Sequence, residues 1–294
     1  MKKTLSLALA LTMALSLAAC GNSGGSSSSA PNSSGSSSQA DASSSAAGSS
    51  STPEVVDDVT TVTEKGTLVV GITNFEPMDY QDENGEWIGF DADMAKQFAE
   101  YLGVDVEFSE INWDYKVMEL NAGNIDVVWN GMTLTDEVTS AMSCSNPYCN
   151  NYQVVVVPAD VAADYPDAAS MSELNFAVES GSAGEEQAEL NGFTSTPVLD
   201  QATAVLEVES GTADAAIIDS LMADAMVGEG TSYEDLTYTI SLNEEEGEQY
   251  GVGFRKGSDL VEKLNQFFVD SYADGTMMEL AETYGVQAAI IPQE

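Results

Sequence analysis

Apolar runs of strand length alternate with segments of helical period over most of this chain. Residues 67–72 follow a Lys65-Gly66 turn and read as a buried strand. They open into a loop carrying Phe75 and Tyr80, and a turn over Asp82 to Gly85 precedes a short strand near Trp87. A helix is expected from Asp91 or Asp93, with Met94, Phe98, Tyr101 and Leu102 on one face and Gly103 as its stop. Residues 104–108 alternate as a strand, and a second helix from Asp114 is expected to bury Val117, Met118 and Leu120 before Gly123. A strand over 125–128 then leads through a turn at Gly131 to a helix start near Asp136. Such a connection aims backbone N–H groups at one spot, a place to hold an anionic or polar small molecule. Thr133 and Thr135 add hydroxyls there, and Trp129 a flat apolar wall.

The second half repeats the device. Asp200 caps a helix carrying Val205 and Leu206 that ends at Gly211, and 213–218 runs as a strand into Asp219. Residues 175–178 form another strand, followed by a glycine turn through Gly181 and a helix opening with Glu185 and Glu186. This rhythm predicts an α/β protein of two lobes, each a parallel sheet with helices on its faces. The apolar strands 152–157 and 250–254 are taken as two crossing segments. Lobe 1 is then 54–157 plus 247–294, closed by a helix on Leu260, Leu264, Phe267 and Phe268, and lobe 2 is 158–246.

Composition adds what precedes the lobes. Residues 1–19 read as an export signal, with Lys2 and Lys3 before an apolar run and a small-residue cleavage site ending in Cys20. This matches a bacterial lipobox, so Cys20 is expected to be lipidated and to anchor the chain outside the membrane without crossing it. From Cys20 to Pro53 the chain is nearly all Ser, Gly, Ala and Asn, a flexible tether. Eight Lys and Arg against 49 Asp and Glu argue against nucleic acid and against a polybasic lipid contact. The absence of His, and of a second Cys pair beside Cys144 and Cys149, removes the usual zinc set; no metal or cofactor is expected. Whether those two cysteines bridge stays open.

Several pieces in order carry a resemblance: Gly89-Phe-Asp-Ala-Asp, Asn112-Trp-Asp, Gly123-Asn-Ile-Asp-Val-Val-Trp-Asn-Gly-Met-Thr, Ser145-Asn-Pro-Tyr, Glu179-Ser-Gly-Ser, Ala213-Asp-Ala-Ala-Ile-Ile-Asp and Tyr250-Gly-Val-Gly-Phe-Arg-Lys-Gly. From Leu68 to Gly285 the chain resembles the family-3 extracellular solute-binding proteins of amino-acid ABC importers. The resemblance implies a type II, periplasmic-binding-protein-like fold that closes on a ligand by a hinge. It places Phe75 as an aromatic stacking on the ligand, with Trp113 and Trp129 as further apolar walls. Asn130 and Thr133 would meet the ligand amine and carboxylate, Asp219 the α-ammonium, and Ser182 would sit at an anion-binding turn. Two positions depart: Val138 stands where the family's amino-acid binders place an Arg, and Ala183 where they place a Thr. Both changes remove donors to an α-carboxylate. The chain's single Arg, Arg255, falls where the resemblance makes it structural.

A carboxylate could then rest on the backbone N–H groups after Gly131 and Gly181. Lys96 or Lys116 could substitute, although both fall on expected solvated helix faces. Otherwise the ligand is a cationic amine without an α-carboxylate, held by Asp219 with Glu179 or Asp79. The first reading is a lipid-anchored binding protein, monomeric, feeding a polar amino acid or related amine to ABC permease subunits. A sensor on the same scaffold, or an enzyme working with carboxylates alone, are the alternatives; without His there is little for nucleophilic catalysis.

Overall fold

The computed structural model describes residues 55–243 and 247–294. The export signal, Cys20 and the tether lie outside the described residues. Among the described residues no helix is long and apolar enough to cross a membrane.

The first sheet contains β1 (Thr67–Ile72), β4 (Asp105–Glu110) and β5 (Val127–Thr133), with β6 (Ser143–Cys144), β7 (Cys149–Asn151) and β13 (Glu248–Phe254). A small hairpin of β2 (Tyr80–Gln81) and β3 (Trp87–Ile88) stands apart. The second sheet contains β8 (Gln153–Pro158), β9 (Asn175–Glu179), β10 (Thr194–Val198), β11 (Ala215–Asp219) and β12 (Leu236–Ser241). Their orders are β4-β1-β5-β13-β6, with β7 also on β13, and β10-β9-β11-β8-β12. In each sheet three parallel strands meet an antiparallel one beside the strand that ends at the site. In the first sheet that neighbour is β13 on β5; in the second it is β8 on β11. The parallel strands need crossover helices, and the chain supplies them. The helices are α1 (Asp58–Lys65), α2 (Phe90–Leu102), α3 (Lys116–Ala122), α4 (Asp136–Ala141), α5 (Ala183–Asn191), α6 (Gln201–Glu209), α7 (Ser220–Met226), α8 (Leu260–Asp274) and α9 (Thr276–Thr283).

The crossings differ from expectation. Strand β8 hydrogen-bonds wholly in the second sheet and β13 wholly in the first. The chain therefore passes between lobes at Tyr152 and again between Ser241 and Glu248, so we place the first boundary near residue 152 rather than 157. Apolar strands carry no mark of which sheet they join; pairing partners decide it.

Helix stops fell where glycines stand: Gly103 and Gly123 cap α2 and α3 in the left-handed conformation. Leu260, Leu264, Phe267 and Phe268 are all buried under the first sheet. Met118, expected in the core, is 56% exposed, whereas Lys116 and Leu120 take the inward face of α3. The helix begins two residues later than expected, after a 3₁₀ turn over Trp113–Tyr115, and that delay rotates its faces. Arg255 is structural, pairing with the buried Asp58. Cys144 and Cys149 are free. They pair with Gly253 and Tyr250, three residues apart along β13, so their Cα atoms sit roughly 10 Å apart, beyond disulfide reach.

Candidate functional site

Strand β5 is the wall on which the site is built. It runs two faces: Val127 and Trp129 pack toward one core, Val128 and Met132 toward another. The strand continues through Gly131 to Thr133, where the sequence had suggested a turn; Gly131 bends inside the strand at φ +54°. Helix α4 follows, with the Thr135 hydroxyl accepting the Val138 N–H at 3.2 Å.

Opposite stands the second lobe. Strand β9 ends in Glu179, and α5 opens after Gly181, with Ser182 Oγ accepting the Glu185 N–H at 3.2 Å. Between these elements lies a cavity of about 400 Å³, lined from both lobes. That volume suits a small molecule. A hollow of about 700 Å³ beside Cys144 and Lys256 is lined by first-lobe residues, and Lys256 Nζ is spent on the Thr139 and Met142 carbonyls.

Trp113, Asn130, Thr133, Ser182 and Asp219 line the cavity together. Phe75 and Trp129 do not. Trp129 shares the parity of Val127 along β5, so it is fully buried between Phe98 and Phe268, at ring-centroid distances of 6.2 and 5.7 Å. Phe75 is 2% exposed; it stands edge-on to Tyr250 and fills the space a side chain at position 131 would take. Val138 and Ala183, the two departures from the family pattern, both line the cavity.

The polar groups there are largely engaged. Asn130 spends its side chain on Thr73, accepting the Thr73 N–H at 2.8 Å and donating to Thr73 Oγ1 at 2.9 Å. Thr133 Oγ1 donates to Glu248 at 3.2 Å. The Gly131 N–H donates to Asp91 at 2.6 Å, and the Gly181 N–H to Glu185 at 2.7 Å. The Gly131 and Gly181 amides themselves thus already hold internal carboxylates; the amides expected to receive a ligand carboxylate are those that follow them. Asp219 accepts from Asn151, from Gln201, and from Gln153 at 2.8 Å. Its burial, then the charge of Glu248, raise its pKa to about 7, while hydrogen bonds from Gln201, Tyr250 and Gln153 pull it down. Glu179 is pushed to about 8 by burial first, then by Asp219 and Asp200; Lys116 and Thr73 oppose the rise.

Lys116 is the residue that sequence reasoning misplaced. It was expected on a solvated face, yet it is 8% exposed and lines the cavity. Its Nζ donates to the Gly181 carbonyl at 2.9 Å and the Trp113 carbonyl at 3.3 Å, and lies 4.9 Å from the Trp113 ring centroid. Burial lowers its pKa, against the pull of Glu179, Glu137, Asp114 and Glu185. The spacing Trp113-x-x-Lys116 was the available signal, since a 3₁₀ turn eclipses residues three apart. Lys96, by contrast, binds Asp93 at 2.8 Å and the Trp87 carbonyl, away from the cavity.

The cavity wall is strongly anionic. Asp114, Glu137, Glu179, Glu185, Glu186, Glu189 and Asp219 make seven of its twenty lining residues, against the single cation Lys116. The chain as a whole holds 49 acids in 294 residues, about half that density. The excess is therefore local to the cleft.

Comparison with known proteins agrees with this geometry. Residues 68–287 match the family model of bacterial extracellular solute-binding proteins, family 3. The L-cystine-binding protein TcyJ of Escherichia coli K12 is 28% identical over 76% of this chain and 84% of its own length. A solved ancestral arginine-binding protein bound to arginine is 33% identical, with a TM-score of 0.67 over 74% of this chain and 98% of that one. An ABC uptake transporter substrate-binding protein of Streptococcus pneumoniae with bound histidine is 28% identical, with a TM-score of 0.72 over 79% and 98%. With two sheets facing one polar cavity and a match across nearly all the described residues, the chain belongs to the bacterial extracellular solute-binding proteins, family 3.

Proposed function

We propose that this protein captures a cationic amino acid, or a cationic amine close to one, between its lobes and delivers it to the permease subunits of an ABC importer. The observation carrying this reading is the cavity wall itself, seven acidic residues against the single Lys116, whose ammonium two carbonyls already hold. A site so charged attracts cations and repels acidic amino acids. Relatives described as binding arginine, histidine and cystine support the amino-acid class. The lipobox at Cys20 supports anchoring at the outer face of a membrane, and we take the protein as a monomer and as a binding protein rather than an enzyme.

The test is a thermal-shift panel of arginine, lysine, histidine, cystine, glutamine and glutamate. A ligand bound at a hundred times its dissociation constant adds about 2.7 kcal/mol, readily seen in Tm. At least one cationic amino acid is expected to stabilise the protein most. Stronger stabilisation by glutamate or glutamine than by any cation would sink the reading.

A second reading has its own observation. The side chains of Val138 and Ala183 offer no donor to an α-carboxylate, and the Gly131 and Gly181 amides are occupied. The ligand would then be a decarboxylated amine. Arginine and agmatine, which differ by that one group, separate the two. Val138→Arg is expected to improve arginine over agmatine by roughly 10- to 100-fold, the range of a charge-assisted pair. An unchanged ratio in titration calorimetry would show that position 138 does not reach the ligand.

A further inference from the structure

We propose that Glu179 is the residue that selects a positive charge on the ligand's side chain, an anchor separate from Asp219. The inference rests on the cationic reading above and assigns the discrimination within it to one side chain.

Two acids at the cavity wall are almost wholly buried: Glu179 at 2% exposure and Asp219 at 4%. They differ in what they still lack. Asp219 Oδ1 accepts from Asn151 and Gln153, and Oδ2 from Gln201. Three amide donors from β7, β8 and α6 thus hold it in place, so much of its capacity to accept is used inside the protein. Glu179 Oε1 is buried and has no hydrogen-bond partner, the Thr73 side chain being the one hydrogen-bonding group at that carboxyl. A buried carboxylate oxygen without a donor is costly unless something else supplies one. Glu179 is a residue of the cavity wall, and a ligand N–H that reaches its carboxyl would supply the missing donor.

The charges around Glu179 favour the same role. Asp219 and Asp200 face it from the second lobe, and Lys116 from the first. Lys116 is not close enough to Glu179 to form an ion pair, and its Nζ points to the Gly181 and Trp113 carbonyls. Without ligand, Glu179 is largely protonated at neutral pH, since burial and its two acidic neighbours raise its pKa to about 8. A guanidinium or ammonium arriving beside it favours the carboxylate, so capture expels a proton. Affinity for a cation should therefore rise as the pH climbs from about 6 to about 8 and level off above that, and rise more steeply than affinity for a neutral ligand, whose α-ammonium meets Asp219 alone.

The experiment compares wild type with Glu179→Gln, which keeps the shape and removes the charge. Each is titrated with arginine and its neutral isostere citrulline, and with lysine and its neutral isostere 2-aminoheptanoic acid, at pH 6 and pH 8.5. In the variant, affinity for the preferred cation is expected to fall on the order of 10- to 100-fold, the range for a charge-assisted hydrogen bond. Its neutral isostere should bind no worse than to wild type, and the cation's gain in affinity between the two pH values should shrink to that of its isostere. An equal loss for the cation and its isostere would overturn the proposal by showing a merely structural role. Unchanged cation binding with the pH dependence intact would overturn it as well, leaving the cationic reading of the cleft standing. Wild type that binds the neutral isosteres better than the cations would overturn both.

Discussion

Gly131→Ala is expected to lower the melting temperature by about 5–15 °C. Gly131 adopts φ +54°, a conformation in which an L side chain costs about 1–2 kcal/mol. A Cβ there would sit 2.3 Å from Phe75 Cε1 and 3.2 Å from Tyr250 Cε2. Neither ring has room to retreat: Phe75 is 2% exposed, Tyr250 is fully buried, and the two meet edge to face at 6.2 Å. Overpacking of this kind adds about 1–3 kcal/mol. The sum of about 2–5 kcal/mol is a large share of a typical total stability, and at about 2–4 °C per kcal/mol it gives the stated shift. The Gly131 N–H also donates to Asp91, a hydrogen bond that backbone movement would loosen. Calorimetric melting checks this, and a change under about 2 °C would mean the Phe75 loop is far softer than its burial implies.

Gly181→Ala should act on capture more than on folding, weakening ligand affinity by about 5- to 100-fold. Position 181 belongs to the second lobe, yet its missing Cβ would lie 2.9 Å from the Asp114 Cα of the first. That neighbour is backbone and cannot swing aside. The lobes would have to part, and the bond from Lys116 to the Gly181 carbonyl, which spans the cleft at 2.9 Å, would stretch. A methyl group wedged into a packed contact costs about 1–3 kcal/mol, charged here against the closed form alone. The Gly181–Asp114 contact lies at the cleft and neither residue belongs to a buried apolar cluster, so melting should change by no more than the left-handed strain at φ +72° brings. Calorimetric titration with the preferred ligand, beside small-angle scattering of the free protein, reads the two effects separately. Undiminished affinity would mean that the ligand is held with the cleft open at Asp114.

These predictions depend on details that differ in how visible they were beforehand. The alternation of apolar strands with glycine-stopped helices was plain, because period and stop signals are local: Gly103 and Gly123 end their helices as expected, and Asp200 caps α6 through the Thr203 N–H at 2.7 Å. Local signals failed where one residue of register mattered. Trp129 was placed at the ligand because the strand was ended at Val128, five residues before its end at Thr133; two more ladder partners on β13, opposite Met132 and Thr133, carry it onward, and Trp129 faces the core with Val127. Lys116 was placed in solvent because a helix started at Asp114 presents a different face from one started at Lys116.

The sequence by itself determined the two-lobed α/β plan, the acid excess and the lack of histidine, which follow from composition, period and residue identity. The family resemblance added the departures at Val138 and Ala183. The tertiary structure alone decided that β8 joins the second sheet, that the cysteines stay apart, and that the Gly131 and Gly181 amides are already taken by Asp91 and Glu185. It also decided which acid is left wanting a donor: Asp219 is furnished by three distant amides, and Glu179 Oε1 by none. Hydrogen-bond saturation is a property of groups brought together from far along the chain, and no local pattern carries it.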